Sequence, residues 1–192
     1  VFLLQINCWR QELANEIYKN CNTISDQELN DWVQNYLNRI LFLRVCEDRN
    51  IEQYQTLLQF ADNKDFAALI NKFKEADRKY NSGLFDQPLC NEIIQNIGSV
   101  FWHIIRQLYY PESPYSFSIL SSDILGNIYE IYLTERLSIE EGEVILRPKP
   151  ESVDRDIVTT PTYIINEILR QTVVPYTMGK TAEEILAMQM AD

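Results

Sequence analysis

Apolar residues recur at three- and four-residue steps over most of this chain, the period of helices packed along one face. Ile6, Trp9, Leu13, Ile17 and Cys21 set the first stripe and predict a helix over about Gln5 to Lys19. Ser25-Asp26-Gln27-Glu28 then reads as a capping box, in which the serine hydroxyl accepts from a backbone amide near Glu28 and Glu28 reaches back. Beyond it Leu29, Trp32, Val33, Tyr36, Leu37, Ile40, Leu41, Leu43 and Val45 make a stripe wider than a surface helix needs. That width predicts the central helix of a bundle, touching neighbours on two sides.

Two shorter helices are predicted around Tyr54 to Phe60 and Lys64 to Tyr80, with Asn81-Ser82-Gly83 as the stop. Pro88 suits a first helical position, because its missing N–H costs nothing there. The helix it opens is expected to reach about Tyr109, burying Ile93, Ile94, Ile97, Phe101, Ile104, Ile105 and Leu108, until Pro111 and Pro114 break it. Another helix fits Ser122 to Glu135. The period then changes to two. Leu137-Ser138-Ile139-Glu140 and Glu143-Val144-Ile145-Leu146 flank Glu141-Gly142, the pattern of a β-hairpin. Arg147-Pro148-Lys149-Pro150 is a stiff extended linker. Thr160, as a hydroxyl cap, and Pro161, in the first turn, are expected to open a helix that stops near Val174, before Pro175. Thr181-Ala182-Glu183-Glu184 is a second capping box, opening a short last helix toward Met188. The expected fold is mainly α, a helical bundle with a short β-hairpin.

Charge narrows the chemistry. There are 17 basic and 28 acidic residues, for a formal net charge of -11, which excludes a simple basic glove for nucleic acid. His103 has no cysteine or acid at ligand spacing, so a structural or solvent-facing role is expected and no metal site. Glu47-Asp48-Arg49, after Arg39 and Arg44, reads as a helix end with exposed local ion pairs, each worth under ~1 kcal/mol. The alternative there is an interdomain contact. The aromatic run from Tyr109 to Tyr115 lacks a positive track for base stacking and is expected to pack over the bundle. No glycine-rich phosphate loop, Glu-x-Lys pair or Asn-Pro-Pro tetrad occurs. Cys8, Cys21, Cys46 and Cys90 include no CxxC pair and are expected to be buried free thiols in a cytoplasmic protein. No apolar run approaches the ~20 residues that span a bilayer. Val1 and Ala191-Asp192 give both ends the look of cuts, as in a piece of a longer protein.

Three segments resemble the type IIG restriction–modification enzymes and their relatives, the large adenine-specific DNA methyltransferases. Leu37 to Ile51 is similar to the family's helical connector signature, an LNRxxFLRxxEDR string followed by a turn. Asp123-Ile124-Leu125-Gly126-Asn127-Ile128-Tyr129-Glu130 is similar to the DILGxIYE string that precedes the methyltransferase domain. Asp156 to Ile165 looks like the first cofactor motif, with Thr160-Pro161 as its Thr-Pro; Asp156 stands where the family has glycine, and Thr159 where an aromatic is common.

The resemblance implies a helical connector domain over residues 1–136, a hairpin and linker over 137–155, and the edge of an α/β methyltransferase domain over 156–192. It implies S-adenosylmethionine as cofactor, with Val158, Thr159, Thr160, Pro161 and Asp192 near it. DNA is the implied partner, through a longer protein with flanking nuclease, methyltransferase and target-recognition domains, and no membrane. The catalytic tetrad would lie past Asp192, so this piece is expected to be inactive. The competing readings are a helical interaction scaffold with no cofactor role and, third, a phosphate-binding bundle, which a basic surface stripe would favour.

Overall fold

The wide apolar stripe after Ser25 becomes α2 (Asp26–Asp48), which buries Leu29, Val33, Tyr36, Leu37, Ile40, Leu41 and Leu43. The computed structural model describes residues 2–81, 83–85, 98–115, 117, 134–149 and 160–188. The capping box is formed as expected: Glu28 N donates to Ser25 Oγ at 3.3 Å and Ser25 N donates to the Glu28 carboxylate at 3.1 Å. Packed on α2 are α1 (Phe2–Asn20), through Ile6, Trp9, Leu13 and Ile17, and α3 (Thr56–Asn63). Then come α4 (Phe66–Tyr80), against α3, and α5 (Gly98–Arg106), against α1 and α3. α4 starts two residues later than its apolar pattern suggests, because the Asp65 carboxylate caps it, accepting from Ala68 N at 2.9 Å. Lys64 and Asn81, both at positive φ, turn the chain before and after it.

The expected hairpin is present as β1 (Glu135–Glu140) and β2 (Glu143–Pro148), antiparallel, with Leu137 opposite Leu146 and Ile139 opposite Val144. Glu141 and Gly142, at φ 51° and 86°, form the tight turn that suits the strands' twist. Leu137 and Val144 face inward onto the bundle. The backbone edge of β1 lies against α2. Asn30 pairs with both backbone groups of Leu137, donating to its O at 2.7 Å and accepting from its N at 2.9 Å. Asp26 accepts from Ile139 N at 3.1 Å and from the Ser138 hydroxyl at 2.8 Å. On the other strand, Gln11 of α1 donates to Val144 O at 3.4 Å.

The chain divides into two compact units, Val1–Asp156 and Ile157–Asp192. The second contains α6 (Thr162–Gln171), α7 (Val173–Thr177) and α8 (Ala182–Leu186). The predicted capping box at Thr181 is formed. Two local expectations fail here. Thr160 does not cap α6; Pro161 is the boundary residue and supplies no side-chain cap. The cause is Pro161's extended ψ of 140°, which sets Thr160 one residue too early to reach the first amides. Pro175 does not end a helix either. α6 stops at Gln171, and Pro175 sits within the first turn of α7, where its N–H is not needed.

Of the three described cysteines, Cys46 is buried as expected, while Cys8 is exposed and Cys21 half-buried; all three are free thiols. Cys90, the start of the helix expected from Pro88, the helix expected over Ser122 to Glu135 (its last residues aside), and Pro150 lie outside the described residues. Among the described residues no helix is long and apolar enough to cross a membrane.

Candidate functional site

The segment from Leu37 to Arg49 is where charge enters the core. Arg39, Arg44 and Glu47 fall on the apolar stripe of α2 and are 1%, 3% and 2% exposed. They are not the exposed ion pairs expected at a helix end, because the stripe continues through them and carries them inward. Each is satisfied by a segment distant in sequence. Arg39 Nε donates to Leu84 O at 2.9 Å, with its guanidinium 5.7 Å from the ring centres of Phe73 and Phe85. Arg44 Nε donates to Leu108 O at 3.0 Å, and its guanidinium lies 4.3 Å from the Tyr109 ring centre and 5.1 Å from that of Phe117. Arg44 also pairs with Asp48, whose other oxygen accepts from Phe117 N at 2.7 Å.

Glu47 closes the arrangement. Its carboxylate accepts from Gln55 N at 3.1 Å, Leu57 N at 2.9 Å and the Tyr109 hydroxyl at 2.6 Å. It thereby caps α3, which has no side-chain cap of its own, and so places a negative charge at a helix N-terminus. Burial still pushes the Glu47 carboxyl above the usual range, against the hydrogen bonds from Tyr109, Leu57 and Gln55 and the nearby Arg44. Burial also raises the Tyr109 hydroxyl, and the charge of Glu47 adds to it. Beside this cluster is a cavity of about 300 Å³ lined by Arg44, Glu47, Asp48, Asn50, Tyr54, Tyr110 and Tyr115. The aromatic run therefore splits: Tyr109 is core, whereas Tyr110 is 85% exposed at the cavity.

A second polar knot centres on Glu52, which accepts from Lys72 at 2.7 Å, Lys79 at 2.6 Å and the Tyr80 hydroxyl. Burial raises its pKa, but these donors outweigh burial and bring it down to about 2. Among the described residues no three His, Cys, Asp or Glu side chains are placed to share a metal. His103 is exposed and shares a 3.0 Å hydrogen bond with Gln107.

Of the residues expected near a cofactor, Val158, Thr159 and Asp192 lie outside the described residues. Thr160 and Pro161 are exposed at the opening of α6. Pro161 O accepts from Ile164 N at 2.9 Å, so the first turn is formed, and its boundary residue supplies no side-chain cap. Around it the second unit exposes Tyr163, Ile164, Ile165, Ile168, Leu169, Val174, Tyr176, Met178 and Leu186.

Sequence reasoning did not find the Glu47–Tyr109 bond or the cavity. A signal was present: Arg44 and Glu47 continue the steps of Leu37 and Ile40, so the apolar period itself marks them as inward-facing.

No family model matches the chain, and no solved structure matches it. It is 55% identical over 193 aligned positions to the "Type II restriction enzyme and methyltransferase RM.Eco57I" of Escherichia coli, a match that takes in 100% of this chain and 19% of that protein. The chain thus spans about a fifth of that relative's length, and the match runs through the whole of the chain.

Proposed function

We propose that the chain is the helical connector and the start of the methyltransferase domain of an enzyme that methylates adenine N6 at a specific DNA sequence, with or without a fused nuclease. The observation that carries this reading is the 55% identity along the entire chain to a restriction enzyme and methyltransferase. On this reading the connector covers residues 1–136, the hairpin and linker 137–155, and the methyltransferase edge 156–192. DNA and the flanking domains are its partners, and the cytoplasm its compartment.

S-adenosylmethionine, when bound, supplies the methyl group. Its carboxylate suits the opening of α6, where Pro161 fixes the turn and supplies no side-chain cap to the first amides. Val158, Thr159, Thr160, Pro161 and Asp192 are assigned to that neighbourhood. The acceptor base is handled by groups this chain does not contain, since no Asn-Pro-Pro tetrad occurs in it. The exposed apolar side chains of α6, α7 and α8 support the reading, because a patch of that kind marks a surface that other protein covers.

The test is transfer of labelled methyl groups to duplex DNA. The 192-residue chain should transfer none above background and bind S-adenosylmethionine weakly, while a protein extended through the tetrad should methylate adenine. Micromolar or tighter cofactor binding or methyl transfer by the chain alone would refute the assignment. So would an extended protein that methylates no adenine.

A further inference from the structure

We draw no further inference here: the strongest candidate, the exposed apolar patch that α6, α7 and α8 carry in the second unit around Ile168, Tyr176, Met178 and Leu186, carries nothing, because nothing in the structure shows what covers it.

Discussion

At the residue scale, close approach and buried charge decide most outcomes. A methyl group built on Gly98 would meet the Phe66 ring at 2.8 and 2.9 Å, and that ring is itself packed on Trp102, 4.4 Å between centres. Gly98→Ala should therefore cost about 1–3 kcal/mol, despite alanine's better helix propensity, and chemical denaturation will measure it. Glu52 gives the clearest pH dependence. Its folded pKa, about 2, lies below that of the unfolded chain, so its contribution is fully present above the unfolded pKa and is lost as pH falls toward 2. At neutral pH it amounts to on the order of 2–3 kcal/mol. Glu52→Gln should be less stable than the parent at pH 7, and the gap should narrow between about pH 5 and 2. A gap that stayed constant over that range would mean that the knot acts through shape alone.

At the element scale, α2 supports everything around it. Leu37 and Leu41 are 0% and 3% exposed on its inner face, and changing either to Ala should cost on the order of 2–5 kcal/mol. Ser25→Ala, which removes the observed capping box, should cost about 1 kcal/mol. Much of this was legible in the sequence. The stripe, both capping boxes and the hairpin turn are local patterns, and local patterns survive folding. The boundaries of α4 and α6 were not, because one residue's ψ or a neighbouring aspartate decides them. The polar core was also missed. Arg39, Arg44 and Glu47 carry the composition of a surface, and only their phase shows that they point inward, Arg39 with Tyr36 and Leu43, and Arg44 and Glu47 with Leu37 and Ile40. Their partners, Leu84, Leu108 and Tyr109, lie tens of residues away, and no spacing rule connects them to α2.

At the scale of the whole molecule, the two units differ in how they treat apolar surface. The first buries it around α1, α2 and α5, while the second leaves Tyr163, Ile168, Tyr176, Met178 and Leu186 more than half exposed. A chain ending at Asp156 should therefore unfold with nearly the same midpoint as the full chain and bind much less of a hydrophobic dye. A large fall in the midpoint would show that the first unit depends on the second. The candidate cofactor residues were legible only through resemblance, since nothing in the charge or periodicity of Thr160-Pro161 distinguishes them from an ordinary helix start. The hairpin has a different lesson. Asn30 presents an amide to Leu137 much as a third strand would, and Asp26 and Gln11 occupy neighbouring backbone groups on the two strands. Side chains of helices thus stand in for the next strands on both sides. A sheet of only two strands would otherwise offer its free donors and acceptors to any passing chain. Asn30 is in this sense a guard against self-assembly as much as a stabilising contact. Replacing it with leucine should do more than the loss of two hydrogen bonds suggests: it should open the hairpin as a template and make aggregation depend steeply on protein concentration, which light scattering would register.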